Sequence, residues 1–154
     1  MNLQTFEGDL LLYDTPDGGD IRVEEGLVAS DRAFSTAVYI SLFGGNKDDS
    51  GRVRNRRTWW GNTLRGVSES RRLASRFQAI VFGMPMTAKN ILDAEEAARL
   101  DLSWITSEKI ADKITADGRA EARNRFSLEI KISAAGETVY DNAFSVFWRS
   151  AGAV

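Results

Sequence analysis

Phe126-Ser127-Leu128-Glu129-Ile130-Lys131-Ile132-Ser133 alternates apolar and polar side chains without a break. Neighbouring side chains on a strand point to opposite faces, so this run predicts a strand with one dry face and one wet face. Ala134-Ala135-Gly136-Glu137 follows as a turn into Thr138 to Trp148, where Phe144, Val146 and Trp148 repeat the alternation. Asp141-Asn142 interrupts the second run and predicts a bulge there, because one extra residue restores the facing. Ile110 to Ala116 supplies a weaker third strand, joined through Gly118. The C-terminal part therefore reads as an antiparallel meander with helices laid on its apolar side.

Working outward from that sheet, Thr87 begins a helix reaching about Ile105, with Ile91, Ala94, Ala98, Leu102 and Ile105 on one face. Ala97, Leu100 and Trp104 widen the face, while Asp93, Glu95, Glu96 and Asp101 fall mostly outside it. Glu95 and Arg99 stand in the favourable i, i+4 order. Ser68 to Phe82 reads as an amphipathic helix carrying Leu73, Phe77, Ile80 and Val81, with Arg71, Arg72 and Arg76 outward and Gly83 and Pro85 as its stop. Asp31 is placed to cap a further helix, Arg32 to Phe43, ended by Gly44 and Gly45. Before it, Asp9 to Tyr13 and Ile21 to Val23 flank Pro, Asp and Gly turn residues, which predicts a β-hairpin. The expected class is α+β: an antiparallel C-terminal sheet of three or more strands packed against two to three helices, with an N-terminal hairpin.

The chain of 154 residues is expected to form one domain, residues 1–154, with 149–154 as a loose tail. Its 43% hydrophobic and 27% charged residues match a folded soluble chain rather than a disordered one. A net charge of −2 gives no general attraction to nucleic acid or anionic lipid, so any basic surface is local. With no cysteine and no histidine, disulfides, thiolate chemistry, imidazole acid–base steps and the usual zinc sites are excluded. Met1 to Glu7 lacks the features of a secretion signal, and no apolar run reaches membrane-spanning length. Asp14, Asp17 and Asp20 do not have the spacing of a calcium loop, and no metal or cofactor is expected. Glu24-Glu25 and Glu95-Glu96 are adjacent pairs whose members point apart, unlike the facing carboxylates of a glycosidase.

The stretch with most to say about function is Asn55-Arg56-Arg57-Thr58-Trp59-Trp60-Gly61-Asn62, preceded by Arg52 and Arg54. Polar turn-formers from Gly44 to Asn55 place it on a loop. Adjacent tryptophans cannot both face inward on a strand, so one ring is expected in the core and the other near the surface. Two readings stand side by side. One is an anchored loop with a solvated arginine face, and the other is a docking patch, since Trp and Arg are enriched at the energetic centres of interfaces.

With these elements in order, the sequence resembles the small baseplate wedge proteins of Mu-like contractile-tailed phages. The likeness rests on the helix Thr36-Ala37-Val38-Tyr39-Ile40-Ser41-Leu42-Phe43, a polar loop, and then Arg56-Arg57-Thr58-Trp59-Trp60-Gly61-Asn62. In the family an alanine-valine-isoleucine-serine-leucine-phenylalanine helix precedes an arginine-glycine-tryptophan-tryptophan-glycine-aspartate motif, and the likeness runs from about Gly8 to Trp148. Thr58 replaces the expected glycine, and Asn55 and Asn62 stand where aspartates are usual. The resemblance implies a structural, non-enzymatic part of a phage, prophage or tailocin baseplate, assembled in the host bacterial cytoplasm. It implies docking to the large wedge subunit, with sheath and hub or spike as further neighbours, and sheath extensions pairing against its strands. The Glu-Pro-Arg grip of the wider group is absent, since proline occurs only at Pro16 and Pro85. The docking role is therefore assigned to Arg56, Arg57, Trp59, Trp60, Gly61 and Asn62. The alternatives are a single-stranded nucleic-acid module using the same arginines and indoles, and a cell-wall-degrading tail enzyme built on carboxylates.

Overall fold

Three long strands realise the alternation of the C-terminal sequence. β7 (Lys113–Ala122), β8 (Arg125–Ala134) and β9 (Glu137–Phe147) form an antiparallel sheet in the order β7-β8-β9. Residues 9–10, 12–15, 18–21, 23–24, 26–28, 30–31, 34–45, 66 and 72–148 are described by the computed structural model. The chain divides into two units, Met1–Ile40 and Ser41–Val154.

In the larger unit, Phe126, Leu128, Ile130 and Ile132 of β8 are all fully buried. Register sets them beside Ala120, Gly118, Ala116 and Ile114 of β7, and beside Val146, Phe144, Asn142 and Tyr140 of β9. Each large side chain removed from water in this row contributes about 1.5–3 kcal/mol, which makes β8 the centre of the core. The strand expected to end at Ala116 continues through Gly118 to Ala122, and the chain turns at Arg123-Asn124. Gly118 is needed inside the strand: a Cβ there would lie 2.5 Å from Cζ of Phe126. The phenylalanine ring occupies the place a side chain would take. Between β8 and β9, Ala135 and Gly136 both adopt positive φ, 53° and 82°. Positive φ at both central positions is the turn that matches strand twist in a two-residue hairpin.

The expected bulge exists but is displaced. Ser133 pairs with Thr138 and Ile132 with Tyr140, so the extra residue is Val139, not Asp141 or Asn142. Asn142 keeps its place in the inward row opposite Ile130. It does so without a bulge because β9 is an edge strand and Asn142 remains exposed to water there.

α3 (Ala88–Ser107) runs along β7, and its buried face is Ala94, Ala97, Ala98, Leu102 and Ile105. Three alanines in that face let the helix axis approach its neighbours closely. Thr87, expected as the first residue of the helix, is its N-cap and accepts the N–H of Asn90. At its end the N–H of Ile110 reaches Ile105 O at 3.0 Å and that of Lys109 reaches Thr106 O at 3.1 Å. This is the Schellman arrangement, with Lys109 at φ 59° in the position glycine usually takes. α2 (Arg76–Gly83) is shorter than expected: Arg72, Leu73 and Ala74 are not helical, and Ser75 is the N-cap. Ser75 and Gln78 form the first and fourth members of a capping-box sequence, which starts the helix at Arg76. An aromatic series then crosses the core. Phe144, Phe43, Phe77, Phe126 and Trp148 follow one another with ring centroids 5.6, 5.6, 6.3 and 5.1 Å apart.

In the smaller unit, β2 (Leu12–Thr15) pairs with β3 (Gly18–Ile21), closing at Thr15 opposite Gly18. The predicted N-terminal hairpin is therefore present, with its second strand beginning at Gly18 instead of Ile21. β1 (Asp9–Leu10) pairs with β6 (Ser30–Asp31), and β4 (Val23–Glu24) with β5 (Leu27–Val28). Asp31 lies in β6, so it does not cap α1 (Phe34–Phe43), which starts later than predicted and ends as predicted before Gly44.

Candidate functional site

The sequence places the site at Arg56, Arg57, Trp59, Trp60, Gly61 and Asn62, and all six lie outside the described residues. What the structure describes is the base from which that segment leaves and to which it returns. The N–H of Ser75 donates to Gly45 O at 2.6 Å, so the chain before the segment and the chain after it are joined.

That base is a polar knot of three helices. Ser75 Oγ lies 2.6 Å from Leu42 O and 3.0 Å from Asp101 Oδ2, and it accepts the N–H of Gln78 at 2.9 Å. Gln78 Nε2 donates to Phe43 O at 2.9 Å. Asp101, one of the carboxylates expected on the solvated side of α3, instead has a side chain only 1% exposed. It accepts the N–H of Phe77 at 2.9 Å and Arg76 Nη1 at 3.2 Å. A carboxylate at the first turn of α2 meets orphan N–H groups and the positive end of the helix dipole. Burial nevertheless pushes its carboxyl above the ordinary carboxylate range, against the opposing pull of the Phe77 and Arg76 backbone and of the Ser75 and Arg76 side chains. Ser75 Oγ thus stands within hydrogen-bond distance of groups held by three helices, Leu42 O, the Gln78 N–H and Asp101. Trp104 Nε1 donates to Ser41 Oγ at 3.1 Å, a further tie between α3 and the end of α1.

The two margins of the sheet are treated differently. On the β7 margin, Glu95 Oε1 accepts the N–H of Gly118 at 2.8 Å and Arg99 Nη1 donates to Ala116 O at 3.2 Å. Two side chains one helical turn apart thus stand in for a neighbouring strand. Arg99 also pairs with Glu96 at 2.7 Å, so the i, i+4 pair with Glu95 expected from sequence does not form. On the β9 margin no described residue pairs with the strand, and Asp141, Asn142, Ala143, Ser145 and Phe147 are exposed. A margin of this kind presents unpaired N–H and C=O groups to another chain.

Two recesses are lined by described residues. A groove of about 500 Å³ between α2 and α3 has Ala79, Ile80, Met84, Ala97 and Leu100 along its floor. Arg76, Asp93 and Glu96 at its rim pair with Asp101, Lys89 and Arg99, which leaves the groove without uncompensated charge. On the outer face of the sheet, Asp117 stands opposite Glu129, and Lys131 Nζ lies 2.9 Å from Glu129 and 3.7 Å from Asp141. Glu129 first, then Asp141, hold the Lys131 ammonium above its ordinary range. One lysine thus offsets part of the negative charge of the carboxylates that gather there. Among the described residues, no group of three or more side chains is arranged to hold a metal ion. Nor is any described helix long and apolar enough to cross a membrane.

Fold and site together define an α+β domain whose sheet has one margin capped by side chains and one margin left unpaired among the described residues. Comparison with known protein families, with curated proteins and with solved structures finds no match to this chain.

Proposed function

We propose that this chain is a structural component of a contractile-tail baseplate, of phage, prophage or tailocin origin, which docks to larger wedge subunits and helps to start the sheath. The reading rests on the resemblance of the α1 segment and the Arg56 to Asn62 stretch. The observation that carries it is the unequal treatment of the sheet margins. An eleven-residue edge strand is unpaired among the described residues, while the opposite margin is closed by Glu95 and Arg99. Edge strands are an aggregation hazard that proteins cover unless the edge has work to do. Strand addition at such an edge supplies main-chain hydrogen bonds, and side chains on either face supply selectivity. The arginine-tryptophan stretch, leaving from a base fixed by buried hydrogen bonds, supplies a second point of attachment.

The experiment is to purify contractile particles from cells expressing a tagged chain and to locate the tag by immunogold electron microscopy. Label at the baseplate end, lost in Arg57→Ala with Trp60→Ala while the purified variant keeps its circular dichroism spectrum, is the expected result. A chain absent from particles, but binding oligonucleotides with strong salt dependence, would transfer the arginine-tryptophan stretch to the nucleic-acid reading.

A further inference from the structure

The open margin has a pattern that fits itself. In an antiparallel ladder a residue turns both its N–H and its C=O to the same side, and successive residues alternate. Gly118 N–H and Ala116 C=O both point away from β8, to Glu95 and Arg99. Their partners Leu128 and Ile130 therefore turn their backbone groups to β9, where they meet Phe144 and Asn142. It follows that Asp141, Ala143 and Ser145 aim theirs at the open margin. The N–H of Ala143 agrees, being met only locally by Asn142 Oδ1 at 3.0 Å.

We propose that a second copy of this chain occupies that margin, β9 against β9, antiparallel about a two-fold axis at Ala143. This goes beyond the assembly reading: the copy takes the same edge that reading offers to a partner's strand, so the two occupants compete for one margin. The two-fold places Ala143 against Ala143, Asp141 against Ser145, and position 139 against position 147. The axis falls on a side chain too small to collide with its copy. Asp141, which keeps Lys131 at 3.7 Å, stands opposite the Ser145 hydroxyl, itself 3.4 Å from Glu121, whereas a parallel, in-register pairing would set Asp141 directly on Asp141, which is destabilising. The exposed apolar residues of the strand, Val139 at 47% and Phe147 at 60%, lie at its two ends, so each end of the pairing brings one of each together. Ladder bonds from Asp141, Ala143 and Ser145 replace solvent contacts and the local Asn142 bond, and the two sheets become one of six strands.

The full chain contains no cysteine, so one introduced thiol reports the axis without interference. Sedimentation equilibrium up to about 100 µM should give twice the chain mass of 17.1 kDa. Ala143→Cys should form an intermolecular disulfide under mild oxidation, because bonded antiparallel partners stand about 5.5 Å apart, within disulfide reach. Val139→Cys should not, since the two copies of position 139 would be separated by roughly 27 Å along the ladder. Phe147→Lys should weaken the dimer at least tenfold with an unchanged circular dichroism spectrum. A wild-type chain that stays monomeric throughout, a Val139→Cys disulfide as fast as that of Ala143→Cys, or a dimer indifferent to Phe147→Lys would each overturn the proposal. A monomer would leave the baseplate reading standing, because an unoccupied margin still accepts a partner's strand.

Discussion

Asp101 shows how a residue can be misjudged from its own element alone. Ala97 and Ala98 one turn before it and Ile105 one turn after it are buried, which in hindsight places position 101 at the edge of the buried face. The signal was present in the spacing, but its partners, Ser75 and Phe77, lie on another helix, and no local pattern announces them. Asp101→Ala should destabilise the chain by about 2–4 kcal/mol in urea unfolding, because Phe77 N–H is left buried without an acceptor. The pH dependence has a definite sign. A carboxyl whose folded value is raised binds its proton more tightly in the native state. It therefore favours folding below the ordinary value of 3.8, and that stability is lost as pH rises through the raised value. Unfolding of wild type and Asp101→Asn, compared from neutral pH downward, should show wild type gaining on the variant as the pH approaches 3.8. Gly118 is a second such case, read as a joint between elements and found inside β7. Gly118→Ala should cost about 1–3 kcal/mol, measured by chemical denaturation, since the new Cβ collides with the Phe126 ring.

Helices and strands were legible where periodicity was long. β8 and α3 follow their patterns closely, because a buried face repeated over ten or twenty residues leaves one arrangement that hides it. Boundaries were less legible where capping competes with periodicity. The apolar spacing from Leu73 onward continues a helix backward in sequence, yet Ser75 with Gln78 starts α2 at Arg76. The Ser-x-x-Gln signature was readable there and outweighs the weaker hydrophobic rhythm before it. The bulge in β9 was anticipated in kind and displaced in position, because an exposed edge tolerates Asn142 without a change of phase. Lys109 occupies a left-handed position that costs a non-glycine residue about 1 kcal/mol. Lys109→Gly should raise stability by about 0.5 kcal/mol, seen as a higher thermal midpoint, once the greater freedom of glycine in the unfolded chain is set against that strain.

At the scale of the molecule, the α+β class and the C-terminal meander followed from sequence, since binary patterning fixes which elements must share a core. The candidate site stands apart, because the six residues assigned to it lie outside the described residues. Its arginines and indoles stand out by composition, while the clamp at its base needs contacts between residues more than twenty positions apart. The asymmetry of the sheet margins was equally out of reach, because capping of β7 depends on Glu95 and Arg99 meeting two particular backbone groups. The central claim is that the chain works by being held through the β9 margin. Ala143→Pro tests it most directly: its N–H faces outward, so proline removes a docking donor without removing a bond to β8. Incorporation of this variant into purified contractile particles, quantified against wild type by mass spectrometry, should fall at least tenfold while its thermal midpoint stays close to wild type. Incorporation at the wild-type level would contradict the account.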